Sequence, residues 1–365
     1  MNSIRNFFQK HVDEKRLTGA ACAVAVNGEV IYREEFGYSD CEQSVPLQKD
    51  SIFRLASMTK PITVVAAMIC KEMGLLDLDV PIGEYIEGFS HAGVGRMENG
   101  APVLVQEARP ITLRDIFTHS SGLCSGEVGH YQLGKLTMPV SLSENVAAWN
   151  HRFLDFAPRS KEAYSGTVAF ELAALAVERV SNKPYERFLQ EEIFSKLNMK
   201  DTCYSLTEEQ ALRLVDMPFP DDRGKIKKVA LGLRGFGAYA QGYTGGSAGL
   251  FSTLDDYLVF VRMLANRGTW NGVRILSEKS VKEIGNRCFL KWGLGMYVRA
   301  AQTDLQPLPE GSFGWSGAYG THFWVEPKSG TTAVLMLNHA NCHGANSPFS
   351  AEFERLVQAE LSALG

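Results

Sequence analysis

The stretch Phe53-Arg54-Leu55-Ala56-Ser57-Met58-Thr59-Lys60-Pro61 carries the strongest signal in this chain of 365 residues. It contains the pattern Ser-x-x-Lys, where an extended, β-prone run gives way to a helical pattern with Pro61 in its first turn. Residues three apart lie on one helical face, so the Lys60 amine can approach the Ser57 hydroxyl. The helix start adds positive potential where an oxyanion would form. The stretch therefore predicts a nucleophilic Ser57 assisted by Lys60.

Taken alone, Ser-x-x-Lys has a simpler explanation. Ser57 could be an ordinary helix N-cap and Lys60 a solvated surface residue. A free serine is a poor nucleophile and a free lysine is protonated near neutral pH, so catalysis requires a further titratable group. The rest of the chain has to supply that group.

Composition and charge narrow the function classes. The net charge of −4 and the isoelectric point near 6.1 leave no basic footprint for nucleic acid. The N-terminal residues lack the unbroken apolar core of a signal peptide, and no window approaches the roughly 20 apolar residues of a membrane span. Seven scattered cysteines without a C-x-x-C pair predict reduced thiols rather than disulfides or zinc ligands. We expect a cytoplasmic protein that binds neither nucleic acid nor membrane.

Both chain ends have the pattern of β-hairpins next to helices. Residues 21–26 and 29–32 are β-prone runs joined by Asn27-Gly28, a pair that suits a tight turn. Residues 321–326 and 331–337 form a similar pair, and helical spacing marks the N-terminal residues 4–12 and the C-terminal residues 349–364. Between these ends, helical patterns occupy 60–73, 112–118, 167–180, 185–197 and 254–266.

This order predicts an α+β fold. An antiparallel sheet is built from both chain ends and flanked by helices, with a mostly helical domain inserted. We expect residues 1–80 and 288–365 to form a discontinuous sheet domain and residues 81–287 the helical domain. The active site should lie at their interface.

Two long segments resemble one enzyme family. The stretch around Ser57 closely resembles the active-site segment of class C β-lactamases and of the related esterases and D-alanyl-D-alanine peptidases. Residues 111–123, which include His119-Ser120-Ser121-Gly122, are similar to the family's helix and loop after the first strands. The resemblance implies a β-lactamase/transpeptidase-like fold. His119, at a helix end, is interpreted as a structural hydrogen-bonding residue and not as the catalytic base.

The family's tyrosine motif is present in altered form. Ala163-Tyr164-Ser165-Gly166 stands at a helix start, and residues 193–202 resemble the segment that follows the family's Tyr-x-Asn. The resemblance implies that Tyr164 shares proton transfer with Lys60, since a neighbouring ammonium favours the phenolate. Gly166 replaces the asparagine, so no side-chain amide is available to bind a substrate amide.

The third family element is a strand that carries Lys-Thr-Gly or a substitute. Trp315-Ser316-Gly317 stands at that place and resembles the variant of esterase-like members. The resemblance implies that these three residues bind substrate, and that the N–H groups of Ser57 and Ala318 form the oxyanion hole. The missing lysine removes a cation that would hold a substrate carboxylate.

A competing motif lies farther along the chain. Gly245-Gly246-Ser247-Ala248-Gly249 matches G-x-S-x-G, the nucleophile elbow of α/β-hydrolases. That elbow should follow a buried strand and enter a helix directly, whereas residues 251–253 intervene here. We interpret the segment as a glycine-rich loop of the β-lactamase-like family.

The motifs together predict a serine hydrolase that forms an acyl-enzyme on Ser57, most simply a carboxylic esterase. The alternatives are a β-lactamase or D-alanyl-D-alanine carboxypeptidase, and a non-catalytic penicillin-binding sensor-like module. The mechanism requires no metal or cofactor, and the expected partner is a small ester or β-lactam-like substrate. An arginine such as Arg234 could replace the missing lysine. The acyl and alcohol groups and the oligomeric state cannot be inferred from these motifs.

Overall fold

The computed structural model describes residues 1–136, 141–220, 226–228, 243–302, 307–340 and 347–363. The strands in chain order are β1 (Gly19–Val26), β2 (Glu29–Gly37), β3 (Ile52–Arg54), β4 (Val94–Glu98), β5 (Ala101–Gln106), β6 (Pro218–Pro220), β7 (Ile226–Lys228), β8 (Phe251–Thr253), β9 (Thr269–Trp270), β10 (Val273–Arg274), β11 (Tyr297–Val298), β12 (Phe313–Ser316), β13 (His322–Glu326) and β14 (Thr331–Met336).

The helices alternate with these strands and dominate the middle of the chain. They are α1 (Asn2–Asp13), α2 (Thr59–Glu72), α3 (Leu113–Phe117), α4 (Glu127–Leu133), α5 (Leu142–Ala148), α6 (Ala169–Ser181), α7 (Tyr185–Leu189), α8 (Ser195–Leu197), α9 (Glu208–Ala211), α10 (Leu254–Ala265), α11 (Glu278–Gly285) and α12 (Pro348–Ser362). Short 3₁₀ segments cover Ala56–Met58 and Ile82–Glu84, and a π-helical turn, Gln190–Phe194, joins α7 to α8.

The two chain ends form one antiparallel sheet, as predicted. Its six strands have the order β11-β12-β13-β14-β1-β2, and the N- and C-terminal halves meet where β1 pairs with β14. Asn27 and Gly28 both have positive φ angles, 51° and 81°, which is the conformation required by the tight turn between β1 and β2. The patterns at the two chain ends therefore predicted the pairing of distant segments correctly.

The strands β1, β13 and β14 are buried on both faces of the sheet. Successive side chains of a strand point to opposite sides, so each strand contributes to two cores. Ala21 and Ala23 of β1 belong to the large core shared with α2, α6 and α10. Cys22 and Val24 belong to a second core, which α1 and α12 close from outside. This explains why β1 and β14 are almost uniformly apolar rather than alternating.

The predicted division into two domains stays a prediction. The helices α2 and α6 pack against each other at the centre of the molecule, between the sheet and the remaining helices. The helix α10 packs on β13, β14 and β1, although its residues fall within the predicted helical domain. A division by packing would therefore assign α10 to the sheet.

The structure also bears on the membrane and cysteine predictions. Among the described residues, no helix combines the length and apolar character needed to cross a bilayer. No disulfide joins the six cysteines within the described ranges, and Cys342 lies outside them. Arg234 also lies outside the described residues.

Candidate active site

Ser57 lies in the short 3₁₀ segment between β3 and α2. β3 pairs with β8, and the Leu55 N–H donates to the Leu250 carbonyl at 2.9 Å, so the segment is anchored immediately before the serine. Ala56 has a φ of +47°, in the left-handed region, and this sharp turn directs the chain into α2. The first N–H groups of a helix have no intrahelical acceptor, so the Ser57 N–H is available to a ligand.

The three predicted catalytic side chains meet. The Tyr164 hydroxyl donates to Ser57 Oγ at 2.8 Å, and Lys60 Nζ lies 3.3 Å from the same oxygen. Lys60 Nζ also lies 5.2 Å from the centre of the Tyr164 ring. Both groups are therefore within hydrogen-bonding reach of the hydroxyl, as general acid–base catalysis requires.

Two backbone carbonyls hold the Lys60 amine. Lys60 is fully buried, and its Nζ donates to the carbonyls of Gly166 and Ser247 at 2.8 Å each. A buried ammonium is costly without such partners. The Gly166 carbonyl thus gives the amine an acceptor at the position where the family has a side-chain amide. With two of its N–H bonds donated to these carbonyls, the amine directs the third N–H bond towards Ser57 Oγ.

The competing serine has different surroundings. Ser247 is 1% exposed, and its Oγ has no hydrogen-bond partner among the described residues. Neither Lys60 nor Tyr164 hydrogen-bonds this hydroxyl, and the Glu171 carboxylate beside it already accepts from the Gly246 and Ser247 N–H groups. The Ser247 carbonyl, in contrast, accepts from Lys60. The Gly-Gly-Ser loop, residues 245–247, therefore belongs to the site without offering a nucleophile.

The end of β12 lies against the segment that carries Ser57. The Gly317 N–H donates to the Thr321 carbonyl at 2.7 Å, and Thr321 Oγ1 donates to the Leu55 carbonyl at 3.1 Å. A Cβ at Gly317 would collide with the Leu55 carbonyl, so only glycine permits this approach. Ala318 packs in a small cluster with Ala56. Ala318 thus lies near the segment that carries Ser57.

Trp315 and Ser316 point to opposite faces of the sheet. The Trp315 ring lies 5.5 Å from the Tyr164 ring and 5.2 Å from the Trp292 ring, on the side of Ser57. The Ser316 hydroxyl instead bonds His322 Nδ1 at 2.7 Å, and His322 Nε2 lies 3.0 Å from a carboxylate oxygen of Glu354 on α12. Of this pair, only Trp315 presents its side chain to the site.

His119 is enclosed by aromatic rings. Its ring centre lies 4.4 Å from that of Trp292, 4.9 Å from that of Tyr164 and 5.7 Å from that of Trp315. Within the described ranges, neither ring nitrogen has a hydrogen-bond partner. Burial, reinforced by the Lys60 and Lys291 cations, holds the pKa of His119 well below its usual range. The ring is therefore a neutral support behind Tyr164, and the hydrogen-bonding role predicted for its side chain was wrong.

Comparison with known proteins agrees with this geometry. The sequence matches the family model described as Beta-lactamase over residues 4–348. The chain belongs to the β-lactamase family. Protein Rv1367c of Mycobacterium tuberculosis is 29% identical over 357 residues, which cover 90% of this chain and 87% of the relative. Esterase EstB of Burkholderia gladioli is 26% identical over 383 residues, which cover 96% of this chain and 93% of the relative.

A solved structure has the same fold as this protein over nearly the whole length of both chains. It is described as EstCE1, a hydrolase with promiscuous acyltransferase activity; it superposes with a TM-score of 0.82 at 22% identity and covers 98% of both chains. The predicted β-lactamase/transpeptidase-like fold is thus confirmed. The protein is a serine hydrolase of the β-lactamase family, as its sequence predicted.

Sequence reasoning missed several residues that surround the site. The carbonyls of Gly166 and Ser247 carry no sequence signal, because any residue has a backbone carbonyl. Trp292 gives no signal beyond an isolated aromatic residue. Glu171 was visible in principle, since it is the one charged residue in the apolar run 169–177 of α6. It is fully buried against the Gly-Gly-Ser loop.

Proposed function

We propose that this protein hydrolyses carboxylic esters through an acyl-enzyme on Ser57. Ser57 Oγ attacks the ester carbonyl carbon, and its proton passes to Tyr164, which takes part in this step as the phenolate and whose oxygen lies 2.8 Å away. Lys60 supplies the second contact to Ser57, and its Nζ lies 5.2 Å from the centre of the Tyr164 ring. The resulting oxyanion accepts hydrogen bonds from the Ser57 and Ala318 N–H groups.

The second half of the reaction reverses these roles. The tetrahedral intermediate collapses, the bond to the alcohol oxygen breaks, and Tyr164 returns the proton to the leaving alkoxide. Water then attacks the acyl-enzyme and gives its proton to Tyr164. The bond between the acyl carbon and Ser57 Oγ breaks, Tyr164 returns the proton to Ser57 Oγ, and the carboxylic acid leaves. Each step uses only groups already in contact around Ser57.

One observation supports the preference for esters over β-lactams. Aromatic side chains lie beside Ser57 at the position where the related β-lactamases have a lysine on the strand. Trp315 occupies the position of the family's lysine and packs with Tyr164 and Trp292. Lys291, the cation next to Trp292, is held by Glu162 at 2.7 Å. The Gly166 carbonyl is already an acceptor for Lys60. A neutral ester fits these surroundings better than a substrate with a carboxylate and a side-chain amide.

The relatives support the same choice. Esterase EstB and the hydrolase EstCE1 both carry hydrolase or esterase names and align over nearly the whole chain. A hydrogen bond or ion pair to the substrate is worth roughly 1 to 3 kcal/mol. A β-lactam that finds no lysine for its carboxylate and no asparagine for its amide should therefore react less efficiently by about two to four powers of ten.

The test compares two substrates on one enzyme preparation. We expect kcat/KM for a short-chain p-nitrophenyl ester to exceed that for a chromogenic cephalosporin by at least about a hundredfold. The Ser57→Ala variant supplies the blank for both substrates. Cephalosporin turnover equal to or faster than ester turnover would overturn the ester assignment and leave the Ser57 chemistry intact. A burst of product without steady turnover would instead favour the sensor-like alternative.

A further inference from the structure

Glu171 is a buried carboxylate that the mechanism above does not use. It lies on α6 between Phe170 and Leu172 and has no exposed surface. Burial raises its pKa, and hydrogen bonds from its neighbours oppose that rise. Placing a carboxylate in a protein core is costly, so its retention requires that it satisfy other buried groups.

The groups that Glu171 satisfies belong to the Gly-Gly-Ser loop, residues 245–247, and to Tyr243 just before it. Glu171 accepts from the Gly246 N–H at 3.1 Å, from the Ser247 N–H at 3.0 Å, and from the Tyr243 hydroxyl at 2.8 Å. A Cβ at Gly245 would lie 2.7 Å from a carboxylate oxygen of Glu171. The glycine thus allows the loop to approach the carboxylate directly.

The same loop uses its carbonyls on the opposite side. The Gly245 carbonyl accepts from the Tyr204 hydroxyl at 2.6 Å, and the Gly246 carbonyl accepts from Thr63 Oγ1 at 2.8 Å. The Ser247 carbonyl accepts from Lys60 Nζ at 2.8 Å. A planar peptide joins the Gly246 N–H to the Gly245 carbonyl and the Ser247 N–H to the Gly246 carbonyl, so binding both N–H groups to one carboxylate fixes the loop up to Ser247. The Ser247 carbonyl follows one residue later, and Lys60 Nζ binds it there.

We propose that Glu171 is a positioning residue for the Ser57 reaction. Its carboxylate fixes the Gly-Gly-Ser loop, and the loop's Ser247 carbonyl in turn holds the Lys60 amine beside the Ser57 hydroxyl. The inference rests on the roles proposed above for Ser57 and Lys60. It also explains why the loop matches a nucleophile motif without being one: the small residues serve a close approach to Glu171.

The decisive variant is Glu171→Gln. A glutamine has one acceptor oxygen, so its NH₂ group would face the Ser247 N–H or the donors at Gly246 and Tyr243. We expect kcat for the activated ester to fall at least about tenfold while KM changes less than about threefold, since a misplaced catalytic group mainly slows the chemical step.

Glu326, which lies in the sheet rather than on α6, provides a matched control. It is a buried carboxylate at the turn between β13 and β14, its pKa is likewise raised by burial, and it accepts from Trp324 Nε1, Ser329 Oγ and Gln358 Nε2. Glu326→Gln should lose comparable stability but keep kcat within about twofold. An equal loss of kcat in both variants would reduce Glu171 to a general structural role.

A double-mutant cycle tests the connection to Lys60. A serine-reactive phosphonate labels Ser57 at a rate that intact-mass spectrometry follows for hours, so slow variants stay measurable. Glu171→Gln should slow labelling at least about tenfold in the wild-type background and less than about twofold in the Lys60→Ala background. Equal slowing in both backgrounds would contradict the proposal. Absence of Ser57 labelling in the wild-type enzyme would contradict the proposed function instead.

Tyr243→Phe covers the case in which Glu171→Gln does not fold. It removes one of the three hydrogen bonds to the carboxylate and retains the charge. We expect labelling to slow about threefold in the wild-type background, with no further loss when Lys60 is alanine. An unchanged labelling rate in this variant, with Glu171→Gln unfolded, would overturn the positioning role.

Discussion

Ser57 and Ser247 both contact the amine of Lys60, and they do so with different parts of the residue. Ser57 offers its hydroxyl, 3.3 Å from Nζ, and this hydroxyl also bonds Tyr164. Ser247 offers its backbone carbonyl, 2.8 Å from Nζ, while neither Lys60 nor Tyr164 hydrogen-bonds its buried hydroxyl. The comparison teaches that a nucleophile is defined by the proton acceptor next to it and not by the small residues around it.

The largest expected effect comes from exchanging each serine for alanine. Ser57→Ala removes the hydroxyl that Tyr164 and Lys60 share, so ester kcat/KM should fall by at least about 10⁴-fold. Ser247→Ala keeps the backbone carbonyl that Lys60 needs and should retain activity within about threefold. Steady-state assays of both variants, with circular dichroism as a check of folding, measure the difference. A folded but inactive Ser247→Ala beside an active Ser57→Ala would restore the elbow interpretation.

The next effect concerns the two groups that distinguish Ser57 from Ser247. Lys60→Ala and Tyr164→Phe should each lower kcat/KM at least about a hundredfold, the usual scale for removing a proton-transfer group. The Tyr164 residue is 41% exposed, so Tyr164→Phe should leave the fold nearly unchanged. If Tyr164→Phe retained more than about a third of the activity, proton transfer would have to pass through Lys60 alone.

The sequence predicted the parts of this site that depend on side-chain identity at fixed spacing. Ser57 and Lys60 lie one helical turn apart, and Tyr164 came from the family resemblance. The joining of the two terminal hairpins in one antiparallel sheet could also be predicted, because both hairpins leave strand edges that require partners. The order of the strands within that sheet depends on long-range packing and could not be predicted.

The missed features depend on the three-dimensional approach of distant segments. The Gly166 and Ser247 carbonyls come from segments 106 and 187 residues away from Lys60, and neither position is marked by its side chain. The resemblance implied that all three residues of Trp315-Ser316-Gly317 bind substrate. The side chain of Ser316, however, points away from the site and bonds His322. The structure separates their side chains because neighbours on a strand face opposite sides.

The smallest expected effect is a pH dependence of the free energy of unfolding. It arises from His119, which packs on Tyr164, the hydrogen-bond partner of Ser57. Its pKa in the folded protein lies well below 6.5, the ordinary value expected in the unfolded chain. Below about pH 6.5 the unfolded chain therefore binds a proton that the folded chain does not, and the free energy of unfolding falls with falling pH. The contribution of His119 to the free energy of unfolding falls by up to about 1.4 kcal/mol for each pH unit of acidification.

His119→Phe keeps an aromatic ring against Trp315 and removes this proton. Denaturant unfolding of both proteins at about pH 7.5 and about pH 5.5 should show a smaller loss of stability for the variant on acidification. Other histidines contribute equally to both proteins and cancel in the difference. Parallel losses in the two proteins would mean that His119 is not held neutral by the fold.

The central claim, that Ser57 and not Ser247 carries the acyl group, is tested most directly by covalent labelling. The protein is treated with a serine-reactive phosphonate, and peptide mass spectrometry locates the adduct in the wild-type, Ser57→Ala and Ser247→Ala proteins. We expect one phosphonyl group on Ser57 in the wild type, the same adduct in Ser247→Ala, and none in Ser57→Ala. An adduct on Ser247, or labelling that survives Ser57→Ala, would contradict the account.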